Sequence, residues 1–459
     1  MTAAALPLAH GIGGIRDLPV PAWLFLFGGA VVLVVSFSAL GVLWTTPRLD
    51  ATRGRPFPAW AQRVLLSPVL RFVAGAASFG LLVLVWASAA FGSEQPSENL
   101  APIFVYVVFW IGVVALVVLL GNVWSVLDPW RSAADAVAWV ARRAGHEGAA
   151  YEYPAWLGRW PATLLLFAFV TLELVYVEPA NTKALAVAIV LYSAITWAGM
   201  SAFGRDAWRE NGDGFAVYFG LLSRVSAFGA RERDGRTELV VRPPLSGLAK
   251  TERRPGTVAF VSVMIGSVAF DSFSRSTWWQ DRLFAVRGPL VETDPELADL
   301  VGMGFNLVGL ICAVLLVALT YQLAVAGAER VAGREMSFEG VFIGSLIPIA
   351  LVYNLSHYFT LLLYQGQNLV PLLSDPLGRG ADILGTSDFQ PHVGFLAPNT
   401  VWYLQVGILV AGHVAGLVVA HDRALALVRS PVTAARTQYA MLALMVLYTI
   451  SGMWLLSLD

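Results

Sequence analysis

Apolar residues fall into ten long runs separated by polar segments: 22–44, 72–92, 101–121, 160–177, 185–203, 257–273, 299–327, 338–364, 400–420 and 438–456. A helix needs roughly 20 mostly apolar residues to cross a hydrocarbon core about 30 Å thick. Each run is therefore expected to be a membrane span. The run 257–273 is the shortest and carries Asp271 near one end, whereas 299–327 is long enough to tilt or to project beyond the bilayer.

Charge supports the same count. Ten spans put alternate loops on opposite sides, and the loops 45–71, 122–159, 204–256, 328–337 and 421–437 together hold 24 of the 30 Lys and Arg. The other side, with both termini, holds Arg16, Lys183, Arg275, Arg282, Arg287 and Arg379. By the positive-inside rule the basic loops face the cytoplasm of a plasma-membrane protein and both termini face out. Dropping one span would mix the two sets. Of the 459 residues 57% are hydrophobic and 13% charged, whereas soluble domains sit near 45–50% and about 25%. The expected class is an all-α polytopic helix bundle in a lipid bilayer. A net charge of −1 gives no field for nucleic acid, and Cys312 alone permits no internal disulfide.

The chain divides into an N-terminal segment (1–21), a first membrane half (22–203), a basic loop (204–256) and a second membrane half (257–459). Residues Ala3–Ala9 before His10 resemble the end of a signal peptide without its basic region. Asp128-Pro129 is an N-cap and N1 pair, so an interfacial helix is expected over about 129–146, with Trp130, Val137, Trp139 and Val140 among its arginines. In the basic loop, Phe215–Phe228 is an apolar-aromatic stretch too short to span. A charged turn surrounds Asp234-Gly235, and Glu238–Arg242 reads as a short strand. The loops 274–298 and 365–399 belong to the opposite side. The two halves of five spans would have opposite orientation, as in inverted-repeat transporters, yet no motif recurs between them.

Ionisable and amide groups inside spans are costly, so each is a candidate for function. The principal ones are Glu173, Asn354, His357 and His413; the secondary ones are Asp271, Asn306, Gln405, His421 and Asp422. Each has a structural alternative, as interhelical hydrogen-bond glue or as a solvated cluster at a helix end. Counted from the span ends, His357 lies about 10 Å below the outer boundary, Glu173 about 6 Å and His413 about 20 Å. The two histidines thus differ by roughly 10 Å in depth, whereas axial haem ligands lie about 4 Å apart, which disfavours a bis-histidine haem. His357 and Glu173 both lie in the outer half and are expected to approach one another. A site open to the outside would draw on His357 with His10, His392, Asp375 or Asp388, and such a mixed His and carboxylate set suits a divalent transition metal. H-E-x-x-H, C-x-x-C, G-x-S-x-G and Walker A motifs are absent. Ser356 adjoins His357, but neighbours on a helix point apart and form no nucleophile–base pair.

Several stretches resemble actinobacterial multi-pass membrane proteins catalogued as fenitrothion hydrolase-like. They are Leu8-Ala-His-Gly-Ile-Gly-Gly14 with Asp17-Leu-Pro19, Asp128-Pro129-Trp130, Ser374-Asp-Pro-Leu-Gly378, Thr400-Val-Trp-Tyr403, and Gly412-His413 through Ala420-His-Asp-Arg423. The resemblance implies hydrolysis of lipophilic organophosphorus esters. The residues themselves point first to a permease or channel-like protein with a polar site around Glu173, Asn354 and His357. A membrane-embedded hydrolase and a non-catalytic subunit that positions a partner are the alternatives.

Overall fold

The computed structural model describes residues 21–143, 150–250, 254–333 and 337–457; His10 and the expected leader lie outside them. It is a helix bundle. Nine helices are long and apolar enough to cross a membrane among the described residues: Trp23–Leu43, Pro68–Phe91, Leu100–Leu120, Thr182–Phe203, Thr257–Ser274, Pro295–Ala332, Glu339–His357, Pro398–Leu427 and Tyr439–Leu456. The protein is an integral membrane protein.

Local chemistry sets many of the boundaries. Ser67 accepts from Leu70 N and Pro68 occupies the first helical turn, so the second span begins four residues earlier than its apolar run. Asn181 caps the 182–203 helix through Ala184 N, and Asp294 caps the 38-residue Pro295–Ala332 helix through Leu297 N.

Three expected spans take unexpected forms. The run 160–177 yields the 15-residue helix Trp160–Leu174, about 22 Å long and short of the full hydrocarbon thickness. The third span winds as a π-helix over Phe104–Gly112, and Val113 N bonds back to Val108 O. Such windings are rare and recur at functional sites. The run 338–364 divides into Glu339–His357 and Phe359–Tyr364, with the break at Tyr358.

The apolar-aromatic segment Phe215–Phe228, too short to span, enters the bundle interior. Gly214–Leu222 is a helix buried among the spans, where Phe109, Trp110, Trp124 and Phe169 receive Phe215, Tyr218 and Phe219. The expected strand is present as β3 (Arg236–Val241), paired antiparallel with β2 (Phe228–Arg233) and with the two-residue β1 (Arg55–Pro56), in the order β1-β3-β2. Asp234 and Gly235 both have positive φ, the geometry a two-residue hairpin turn demands. The interfacial helix runs over Pro129–Arg143, with Asp128 accepting from Arg131 N.

Thr257–Ser274 and Glu339–His357 are interior: 72% and 83% of their apolar stretch is buried, against 11% for Trp23–Leu43 and Pro68–Phe91. Glu339–His357 packs most closely on Pro398–Leu427. There Ser356 Oγ donates to Gln405 O while Gln405 Nε2 donates to Ser356 O. A Cβ on Gly412 would lie 2.2 Å from both methyl carbons of Val352. Gly412→Ala is therefore expected to cost about 1–3 kcal/mol in thermal unfolding of the purified protein. Adding Val352→Ala should recover much of that loss, and no recovery would disprove the steric cause.

On the cation-poor side, the stretch Ser374–Gly378 straps the second half to the first. Pro376 O accepts from Ser88 Oγ and Leu100 N, Leu377 O accepts from Ser93 N, and Arg379 donates to Phe91 O. Gly378 has φ +63°, and its missing Cβ would sit 2.5 Å from Glu98 O.

Candidate functional site: a buried Ser–His–Asp relay beside Glu173

Asp271 stands one turn before the end of the Thr257–Ser274 helix, and His357 ends the Glu339–His357 helix. Their side chains meet: His357 Nε2 lies 2.8 Å from Asp271 Oδ2, with the imidazole fully buried and the carboxylate nearly so. The other ring nitrogen, Nδ1, lies 3.1 Å from Ser272 Oγ, which is also fully buried. Tyr358, at the break in the helix, donates its hydroxyl to Asp271 Oδ2 at 2.9 Å. Arg275, one turn along from Asp271, pairs with Oδ1 at 2.7 Å.

Glu173 joins this group from the Trp160–Leu174 helix. It lies within electrostatic reach of Asp271, His357 and Arg275, and within hydrogen-bonding reach of Tyr358. Tyr106, from the π-helix, and Tyr218, from the buried helix, stand within electrostatic reach on its other sides. The short span and the broken span therefore meet here, with Tyr106 of the π-helix within electrostatic reach. The expected approach of the two outer-half groups Glu173 and His357 is present as electrostatic proximity.

The arrangement is chemically able to hold and pass a proton. With Asp271 as carboxylate, the neutral ring donates from Nε2 and leaves Nδ1 to accept from Ser272 Oγ. A proton added at Nδ1 reverses that bond, because Nδ1 becomes the donor and the Ser272 oxygen accepts. Two carboxyl groups share one histidine and one arginine, so a change of charge on one is felt by the others.

The remaining candidates separate. Asn354 lies one turn before His357, buried, with neither amide atom hydrogen-bonded among the described residues. His413 is buried on Pro398–Leu427; its Nδ1 faces Leu409 O at 2.8 Å, and its Nε2 has no hydrogen-bond partner among the described residues. Gln405 is held by the reciprocal bond to Ser356, and Asn306 accepts from Trp279 Nε1; both are interhelical glue. His421 and Asp422 are a structural latch on residues 44–49: His421 Nε2 meets Trp44 O, and Asp422 Oδ1 accepts from Trp44 Nε1, Arg48 N and Leu49 N.

The outer metal set is not assembled. His357 is engaged by Asp271 and Ser272, Asp375 accepts from Arg379 N and Gly380 N within its own loop, and His392 and Asp388 are exposed. Among the described residues no three His, Cys, Asp or Glu side chains come together as ligands. Ser272, Tyr358 and Arg275 are the residues that sequence reasoning missed. Only Arg275 carries a signal, its i,i+4 spacing from Asp271. The chain matches no known family, no curated protein and no solved structure.

Proposed function

We propose that this protein is a proton-linked permease in which the Asp271–His357 pair, with Glu173, carries the proton. The observation that carries the reading is a hydrogen-bonded acid–histidine pair sealed inside a membrane bundle, at a break in one of its helices. Ionisable groups at such positions mark proton relays, and interrupted helices mark the sites of transporters. The test uses purified protein in liposomes enclosing a pH-sensitive dye, with an imposed pH gradient and potassium and valinomycin to balance charge. The wild type is expected to dissipate the gradient faster than empty vesicles. Asp271→Asn and His357→Gln should each slow it by about 100-fold or more, the scale on which removing one proton-transfer group acts. Undiminished dissipation in both variants would eliminate the reading.

A second reading is a membrane-embedded hydrolase, as the resemblance to fenitrothion hydrolase-like proteins implies. One observation favours it: Ser272, His357 and Asp271 are linked in the order of a nucleophile, base and orienting acid. Ser272 is fully buried, which suits a relay better than a nucleophile that must meet its ester. A fluorophosphonate probe discriminates the two. Labelling that disappears in Ser272→Ala supports the hydrolase, and a wild type that resists labelling supports the permease.

A further inference from the structure

Two grooves lie against the interfacial helix Pro129–Arg143, and the same three helices (68–91, 129–143 and 182–203) wall both. The first, about 500 Å³, is lined almost wholly by apolar side chains, among them Leu81, Phe104, Phe169, Leu172 and Ala188. Two of its polar wall groups are spent elsewhere, since Trp130 Nε1 donates to Ser193 Oγ and the Tyr192 hydroxyl donates to Asp213, whereas the buried Trp124 Nε1 has no hydrogen-bond partner among the described residues. That chamber offers a ligand mostly apolar surface, at a volume ordinary for a ligand site.

The second groove, about 980 Å³, lies at the cation-rich end of the 182–203 helix and has a different wall. Arg142 and Arg205 line it with Asp206. Arg131 and Asp135 stand behind them, in ion pairs with Asp206 and Arg205 respectively. Arg143 lies 3.7 Å over the Trp139 ring on the same helix. Guanidinium groups therefore outnumber carboxylates around this groove. Burial, with the nearby Arg209 and Arg71 cations, holds the Arg131 guanidinium below its usual range against the partial opposition of Asp206 and Asp135. The helix also presents Val137, Trp139 and Val140 to its surroundings, at 69%, 50% and 59% exposure, as an interface-seated helix does.

We propose that the two grooves form one binding site for an anionic phospholipid, its phosphate held by Arg142 and Arg205 and an acyl chain lying in the apolar chamber. Charge complementarity selects this occupant. A neutral amphiphile leaves the guanidinium excess unanswered, and a soluble phosphate leaves the apolar chamber unfilled. Arginine forks bind phosphate bidentately, and basic segments beside a span attract acidic lipid.

The experiment titrates the purified full-length protein in detergent with dioleoylphosphatidylglycerol, and separately with dioleoylphosphatidylcholine, following thermal unfolding. The anionic lipid is expected to raise the midpoint by about 3 °C or more above the zwitterionic one, as a ligand bound only by the folded state does. Arg142→Gln, at an exposed residue with no ion pair among the described residues, should shrink that difference, and Arg142→Gln with Arg205→Gln should abolish it. Ala188→Phe, which fills the chamber, should reduce the rise with dioleoylphosphatidylglycerol but not with its short-chain dihexanoyl analogue. Equal shifts from the two headgroups in the wild type, or a preference untouched by Arg142→Gln and Ala188→Phe, would overturn the proposal.

Discussion

Replacing Asp422 by alanine is expected to cost about 3–5 kcal/mol and to release residues 44–49 from the end of the Pro398–Leu427 helix. The Asp422 side chain is fully buried. Its Oδ1 alone accepts from Trp44 Nε1 at 3.0 Å, Arg48 N at 2.5 Å and Leu49 N at 3.0 Å. Alanine leaves all three donors without that acceptor, and leaves the Arg423 guanidinium, 3.6 Å from Oδ2, without its anion. Each unsatisfied buried group costs about 1–3 kcal/mol, and local relaxation keeps the sum below the simple total. Asp422→Asn preserves an acceptor oxygen and should cost about 1 kcal/mol. The comparison is made by denaturant unfolding in one detergent, with hydrogen exchange at residues 44–49 as the local readout. An alanine variant within 0.5 kcal/mol of wild type would show that the latch contributes nothing, 0.5 kcal/mol being about the ordinary surface-substitution scatter.

Span positions were legible because a continuous apolar run has one physical solution in a bilayer. The exceptions share a cause. Trp160–Leu174 and Gly214–Leu222 are apolar but shorter than a membrane, and a short apolar run is consistent with an interfacial, buried or spanning helix alike. Only their partners decide, and those lie far away in sequence: Tyr218 stacks on Trp110, and Gly214 rests against the backbone of residues 162–166.

The site was legible in part. Glu173 and His357 announced themselves as costly groups in the outer half of their spans, and Asp271 as the acid in the shortest run. Their pairing was not legible, since Asp271 and His357 are 86 residues apart. Ser272 and Tyr358 carry no sequence signal, because a hydroxyl beside a span end is ordinary until a ring nitrogen or a carboxylate faces it. The loop residues Asp375 and Asp388 misled for the opposite reason. Acids in a Gly- and Pro-rich loop read equally as ligands or as turn caps, and Asp375 is a cap.

The same accounting gives Arg209 an outsized role away from the relay. Its Nε lies 2.8 Å from Asp128 Oδ2, and the Asp128 side chain is fully buried. Asp128 also caps the interfacial helix, and Arg209 stands within electrostatic reach of a second buried carboxylate, Asp213. Asp213 Oδ1 accepts from the Tyr192 hydroxyl and Ala216 N, whereas its Oδ2 has no hydrogen-bond partner among the described residues. One guanidinium thus offsets two acids. Arg209→Met should cost about 3–5 kcal/mol, because two buried carboxylates then face each other without a cation. Asp128→Asn in the same chain is expected to recover a substantial part of that loss, since it removes one stranded charge while its side-chain oxygen can still cap Arg131 N. The single and double variants are compared by unfolding midpoint in one detergent. A double variant no more stable than Arg209→Met alone would mean that the stranded Asp128 carboxylate is not the source of the loss and that the ion pair is incidental. Recovery would mean that the Asp128-Pro129-Trp130 stretch depends on a cation 81 residues away, on the helix that leads into the buried Gly214–Leu222 segment.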